Sequence, residues 1–598
     1  MKIKNVPDIA ITKARYFYEL LILGWSLLIN TEKQRLLGLC VFAFLSGLLE
    51  IVAITAMIPG IAILVDTARQ ERFFQLLSQN INVQFLHPDH LVFTVIFLLA
   101  ILIAISCAIS ITLRFTINSF SSKCRTRLAA DLVKSFYERS FDSITDLNSS
   151  VISRQINIDV VRWGSDFVGR ILSFAHGLAV LFFAIIAIFI VARAFGILTT
   201  IVSGLLVISL HIFIMKFTSG FTEREKEATN KLSVKITQFI SGMRDIRLSA
   251  NPQYFLKDLN KDFSTYSELQ AKRNSFRQTS PAIIVALSQL LLIAIVFLLW
   301  SLETPTVTII ELSAFLGIIA SRLVPAANRL LVDITGLWDF GPYVMGLTRL
   351  GEKHSRERLK PKAENIEFPK SWHRISLNNV YFSYSNSKND NLKNINLNLE
   401  KGKFYVFIGP SGSGKTTTAN LVAGLLLPHT GSLKIDQHTI ASSQIEDWQS
   451  QVSYVPQKPL IIDGTVMENI TFGAQSTDET LKKVMLCIEN VGLGELIKNL
   501  PNGLYHQLGD GGSKLSGGQI QRISIARALF KNSSMFILDE ATNALDTLNE
   551  NKIIQLLEKL RTQGKTVILI THRMNNLTKA DVVYIFEDGK VIGEKKQR

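Results

Sequence analysis

Four cysteines, Cys40, Cys107, Cys124 and Cys487, are all that 598 residues contain. They form no CxxC pair and stand beside no histidine pattern, which excludes a disulfide framework and a cysteine-ligated zinc site. Structural, reduced thiols remain. Charge is scarce as well: Asp, Glu, Lys and Arg make up 19% of the chain, against 47% hydrophobic residues. The shortage falls before about residue 340, and the rest has ordinary soluble composition. A membrane-embedded half joined to a soluble half fits this split better than one large globular enzyme. The N-terminal stretch lacks an apolar core followed by a small-residue cleavage site, so no removable secretory signal is expected.

Where charge is missing, apolar runs take its place. Six stretches of spanning length lie near residues 37–65, 91–117, 171–192, 197–217, 281–302 and 307–331. Arg193 to Gly196 forms a tight turn between the third and fourth. Lys and Arg crowd alternate connections: Lys123, Arg125, Arg127, Lys134, Arg139, Arg154 and Arg162 after span two, and a denser set from Arg224 to Arg277 after span four. The intervening connections hold only Arg69, Arg72 and Arg193. By the positive-inside rule the N-terminus, both long connections and the C-terminal half share the cytoplasmic side. The net charge of +15 is then explained by loops facing anionic lipid, which points away from nucleic acid as a partner. Both long connections are rich in helix formers and read as helical extensions of the spans. Each needs a reversal, near 141–148 and 241–247, and either reversal is a short helix touching the soluble half or a plain solvated turn. The domain division expected is a cytoplasmic segment with an interfacial helix at 1–36, a six-span domain at 37–345, a linker at 346–372 and a nucleotide domain at 373–598.

The soluble half carries a phosphate cradle. GPSGSGKT, Gly409 to Thr416, follows the apolar run FYVFI and precedes the helix-compatible TTANLVAGLL, the strand–loop–helix context that GxxxxGK[ST] requires. Gly409, Pro410, Ser411, Gly412, Ser413, Gly414, Lys415, Thr416 and Thr417 are the candidate nucleotide-binding set. Glycines let backbone N–H groups point at phosphate oxygens, Lys415 reaches the β- and γ-phosphates, and Thr416 ligates Mg²⁺. A second apolar run, MFILDE, ends in Asp539 and Glu540. Asp539 is placed to hold Mg²⁺ and Glu540 to polarise an attacking water.

Between these stands Leu515-Ser516-Gly517-Gly518-Gln519, followed by IQRISIARA. With it the C-terminal half resembles the ATP-binding cassette (ABC) transporters. That resemblance implies that LSGGQ opens a helix facing ATP held by a partner subunit. Gln457 in YVPQ resembles the glutamine that senses Mg²⁺ and the attacking water, and Asp546 in ALD resembles the D-loop aspartate. His572 in LITH resembles the switch histidine at the γ-phosphate, and Tyr384 in VYFSY the aromatic that stacks on adenine. The cofactors implied are ATP and Mg²⁺. With one nucleotide domain per chain, a second copy of the chain is the simplest partner, giving a homodimer with two composite sites; a heterodimer with another half-transporter is the alternative.

Six spans followed by one cassette resemble a half-size exporter. The fold class implied is a polytopic α-helical membrane domain of the ABC exporter type fused to an α/β P-loop domain, in a bacterial cytoplasmic membrane and in contact with membrane lipids. The first span holds Glu50, a costly residue inside lipid and so either a substrate-site group or a structural hydrogen-bonder. Together with Arg322-Leu-Val-Pro-Ala-Ala-Asn-Arg329 and Met243-Arg-Asp-Ile-Arg247, this span resembles bacterial flippases of lipid-linked oligosaccharides. Such cargo needs cations for its pyrophosphate, and Arg114, Arg322 and Arg329 are the candidates beside Glu50. Arg125 is expected instead to snorkel to headgroups. A peptide, toxin or other lipid is the alternative cargo, and a regulated channel the alternative class.

Overall fold

The computed structural model describes residues 17–57, 91–145, 149–190, 209, 221–303, 306–341, 343–348, 371–384, 390–440, 444–573 and 578–596. It divides into two compact units, Met1–Ser135 with Asn148–Lys353, and Phe136–Leu147 with His354–Arg598.

The first unit is helical. By length and composition, three helices among the described residues are able to cross a membrane: Asn30–Thr55, Phe93–Tyr137 and Ile152–Ile190. A shorter apolar helix runs Val285–Ser301. The fifth and sixth apolar stretches fall in helices Pro252–Ser301 and Thr306–Asp339, and the fourth, 197–217, lies outside the described residues. Exposed Phe93, Phe97 and Ile105 on Leu91–Tyr137 form the kind of surface that lipid covers. The polar connections continue as helix. Leu91–Tyr137 runs 47 residues and Pro252–Ser301 runs 50, about 70 Å or more each at 1.5 Å per residue. Short helices stand at both expected reversals, Phe141–Thr145 and Met243–Leu248.

Small residues set how closely these helices pack. A Cβ on Gly47 would meet that of Ala179 at 2.7 Å, so Asn30–Thr55 and Ile152–Ile190 approach closely there. Gly177 faces Leu330, and Gly336 lies under the Arg170 guanidinium, which draws Thr306–Asp339 against the same helix. Ile152–Ile190 is irregular: Gln155–Asp159 and Trp163–Gly169 are π-helical.

The second unit contains a six-stranded, mostly parallel sheet and a four-stranded sheet among the described residues. In the larger sheet β3 (Phe404–Ile408) is parallel to β8 (Thr566–Ile570) and β9 (Val582–Glu587). β7 (Met535–Asp539) runs parallel to β8 and to β6 (Val452–Val455), while β10 (Lys590–Lys596) pairs antiparallel at the edge. FYVFI, MFILD and TVILI are continuous apolar runs because both faces of a parallel sheet are covered. The smaller sheet is antiparallel, and β2 (Leu392–Glu400) pairs with β1 (Arg374–Phe382) through the alternating LKNINLNLE, which buries one face. β4 (Thr430–Ile435) and β5 (His438–Thr439) complete it. Parallel order sends the C-terminal ends of β3, β6, β7 and β8 to one edge, where α/β sheets bind ligands.

Candidate functional site

β3 delivers the phosphate loop. Gly409 has φ +149°, and a Cβ there would lie 2.2 Å from the Phe586 carbonyl oxygen. Gly412 and Gly414 also have positive φ, so the turn needs residues without side chains. Gly414 is the N-cap of helix Lys415–Val422. Lys415 Nζ donates to the carbonyl oxygens of Gly409 at 2.9 Å and Pro410 at 2.7 Å, and to Ser413 Oγ at 3.4 Å. Its ammonium is thus held inside the loop, and burial lowers its pKa while Glu540 and Asp539 oppose the shift. Ser411 and Gly412 are exposed at the tip, and Thr417 is buried. Gly409→Ala should lose about 1–3 kcal/mol to backbone strain, with the clash against Phe586 added. The check is the thermal midpoint of the full chain, which should fall by several degrees.

Thr416 Oγ1 donates to Asp539 Oδ1 at 3.1 Å, and the Tyr454 hydroxyl donates to Asp539 Oδ2 at 3.3 Å. Burial raises the Asp539 pKa, against the lowering effect of these two hydroxyls. One carboxylate and one hydroxyl are hard oxygen donors that suit Mg²⁺, which takes few protein ligands and completes its shell with phosphate and water. Thr416 and Asp539 therefore fit that ion. No group of three or more metal-ligating His, Cys, Asp or Glu side chains occurs among the described residues.

Glu540 follows at φ +51°, an uncommon value for a residue with a side chain. Three groups meet its carboxylate. Gln457 Nε2 and Asn543 Nδ2 each donate to Oε2 at 2.8 Å, and His572 Nε2 lies 3.0 Å from Oε1. Gln457 and His572 were expected here; Asn543 and Tyr454 were not. Asn543 stands in the turn three residues past Glu540, and Tyr454 lies on β6 three residues before Gln457.

Ser516 caps helix Gly517–Lys531, its Oγ accepting from Gln519 N at 3.3 Å while Ser516 N donates to Gln519 Oε1 at 2.8 Å. Gly517 is exposed, and a Cβ on Gly518 would come 3.0 Å from the Ala544 carbonyl oxygen. Leu515 packs against the core. Asp546 caps helix Thr547–Thr562 through Asn549 N at 2.8 Å, and those hydrogen bonds lower its pKa. Tyr384 is half-buried, edge-on to Phe382, its hydroxyl 3.5 Å from Thr417 Oγ1.

The helical unit holds a second assembly, a cleft of about 640 Å³. Leu91–Tyr137 contributes Ser110, Arg114, Asn118, Ser121 and Arg125; Ile152–Ile190 contributes Ser165, Asp166, Arg170, Ser173 and His176; Thr306–Asp339 contributes Arg329. Glu50 Oε2 stands 3.6 Å from His176 Nε2. Arg114, Arg329 and Glu50 are thus brought together as candidates, while the side chain of Arg322 lies outside the described residues. Arg125, expected to snorkel, instead lines the cleft. The arginines divide by pairing. Arg170 binds Asp166 at 2.9 Å, Asp333 at 3.5 Å and the Val332 carbonyl oxygen at 2.9 Å. Among the described residues, Arg114, Arg125 and Arg329 make no ion pair.

A glycine loop, paired strand-end acids and a serine-capped glycine helix on one α/β unit, joined to apolar helices, define an ATP-binding cassette fused to a membrane domain. Residues 392–543 match the ABC transporter family model and residues 36–321 the ABC transporter transmembrane region. The chain belongs to the ABC transporters, and it is an integral membrane protein with the exporter fold. The ATP-dependent lipid A-core flippase of Cupriavidus pinatubonensis is 29% identical over 370 residues, 61% of each chain. That of Ralstonia nicotianae is 36% identical over 36% of this chain and 37% of the relative. The chain thus matches about three fifths or less of these flippases' length. HepA, the heterocyst differentiation ATP-binding protein of Nostoc, is 27% identical over 80% of this chain and 78% of its own. A bacterial Atm1-family ABC exporter with ATP bound superposes with TM-score 0.75 at 17% identity, covering 95% of this chain and 96% of that one.

Proposed function

We propose that two copies of this chain form an ATP-driven exporter in a bacterial cytoplasmic membrane, which moves an anionic amphiphile, a lipid-linked oligosaccharide, from the inner to the outer leaflet. Each ATP lies between the Lys415 loop of one copy and the Ser516–Gly518 helix start of the other. Glu540 orients and deprotonates the attacking water, with Gln457, Asn543 and His572 fixing its carboxylate. Lys415 leaves its loop carbonyls for phosphate oxygens, and Tyr384 stacks on the base. Thr416 and Asp539 would hold Mg²⁺, whose charge would offset that of the phosphates. Asp546 acts through its cap, setting the loop beside the Gly518 helix. Cassette closure biases the helical unit between two openings, transmitted through the segments at 141–148 and 241–247.

The observation that carries the cargo assignment is the arginine cleft. Arg114 and Arg329 offer forked donors for phosphate oxygens. Ser110, Arg114, Asn118, Ser121 and Arg125 follow at intervals of three and four residues, so they form one polar stripe along a helix. Its length, about 20 Å at 1.5 Å per residue, suits an extended hydroxyl-rich head group. Reconstituted full-length protein should hydrolyse ATP faster with a polyprenyl-pyrophosphate-linked oligosaccharide in the vesicle. Arg114→Ala and Arg329→Ala should each raise the half-stimulating concentration about tenfold, the worth of one charge-assisted hydrogen bond. Stimulation by peptides alone would replace this cargo assignment with the peptide-export reading, and ion current without hydrolysis with a channel.

A further inference from the structure

We propose that Arg125 is a third cation of the anion site, and that Gly164, in the π-helical turn of the facing helix, is the residue that makes room for it. The inference rests on the reading above of the cleft as the place where the anionic head group sits. Arg125 lines the cleft from Leu91–Tyr137, eleven residues and about three turns beyond Arg114. Its Nε is buried and has no hydrogen-bond partner. An arginine kept in that condition costs stability unless something else satisfies its donors. His176, 5% exposed and on the same cleft, likewise has an Nε2 with no hydrogen-bond partner, Glu50 lying just beyond bonding distance at 3.6 Å. Two residues that each hold an unsatisfied buried nitrogen line this one cleft, which points to a ligand with several acceptor oxygens.

The stem of Arg125 reaches the cleft by crossing Gly164. A Cβ at Gly164 would lie 2.2 Å from Arg125 Cγ and 2.5 Å from Cδ, so any side chain there must displace the arginine at its root. The crossing is fixed by Ser121, one turn before Arg125, whose Oγ donates to the Gly164 carbonyl oxygen at 2.7 Å. Gly164 is buried inside the π-helical segment Trp163–Gly169, and Trp163 anchors that segment by donating from Nε1 to the Gly24 carbonyl oxygen at 3.2 Å. π-turns recur at functional sites because the extra residue re-aims the neighbouring side chains. Here the turn leaves a side-chain-free notch under Arg125, and Gly169 and Arg170, five and six residues later, also line the cleft wall. Gly164 is a positioning residue; Arg125 is the group that meets the ligand.

The test uses the full-length protein reconstituted in phosphatidylcholine vesicles, with a polyprenyl pyrophosphate as probe and the uncharged polyprenol as its control. The quantity read is the probe concentration giving half-maximal stimulation of ATP hydrolysis, separately from the maximal rate. Arg125→Ala should raise that concentration about tenfold. Gly164→Ala should raise it by a similar factor, and the double variant no further than either alone, because both remove the same contact. Arg125→Lys should recover part of the response. A stimulated wild type with an unshifted Arg125→Ala overturns this inference and leaves the cargo reading standing. Multiplicative effects in the double variant overturn the role of Gly164. A wild type that responds no better to the pyrophosphate than to the polyprenol removes both. Arg125→Ala only deletes atoms, so it decides the case even where Gly164→Ala fails to fold.

Discussion

Glu540→Gln should bind ATP as the wild type does and lose turnover by about three orders of magnitude, the scale of a lost general base. The substitution removes the one carboxylate on which Gln457, Asn543 and His572 converge, while an amide keeps the side chain's shape. It leaves Thr416, Asp539 and the Lys415 loop untouched, so nucleotide affinity should survive. Phosphate release at saturating ATP and equilibrium nucleotide binding, measured on the same preparation, separate the two effects. A closed, ATP-bound dimer should accumulate, visible as a cross-link or a shifted elution volume. Undiminished hydrolysis would sink the assignment of Glu540 and, with it, the reading of the strand-end acids.

Two inactive variants should restore each other. Lys415→Ala removes the cation that the Gly409 and Pro410 carbonyls hold inside the loop, and Ser516→Arg replaces the cap of the glycine helix with a bulky cation. Each alone should hydrolyse almost no ATP. If every site takes its loop from one copy and its helix from the other, a mixed dimer has one site with both defects and one with neither. Random mixing then leaves roughly a quarter of all sites intact. Co-expressing the two and assaying the mixture distinguishes the arrangements. No recovery above the separate variants would mean that loop and helix serve the same site within one chain, and the homodimer proposal would fall.

Much of the cassette was legible because its signals are local. FYVFI, MFILD and TVILI announce buried parallel strands through composition alone, and GPSGSGKT needs only its own backbone to shape a phosphate turn. The long polar helical extensions were legible for a similar reason: helix propensity and the lack of Gly and Pro act residue by residue. The convergence on Glu540 was not. Gln457 lies 83 residues from it and His572 32 residues away, and only the parallel order of β6, β7 and β8 brings the three strand ends together. Asn543 and Tyr454 escaped because an asparagine in a turn and a tyrosine on a strand carry no signal until their partners are placed.

The membrane half marks the same boundary more sharply. The sequence by itself determined that apolar helices are present, that basic residues gather in alternate connections between them, and that a nucleotide cassette follows. It set Arg125 aside as a cation that snorkels to headgroups, because single arginines at the ends of apolar runs look alike. Packing ranks them. Arg170 is neutralised by Asp166 and Asp333, which come from its own helix and from one more than 160 residues away, and Arg125 is carried across Gly164 with its Nε unpaired. Composition and periodicity are summed along the chain, so sequence reports them well. The state of a charge depends on which groups stand within a few ångströms, and in a helical bundle those neighbours come from other helices.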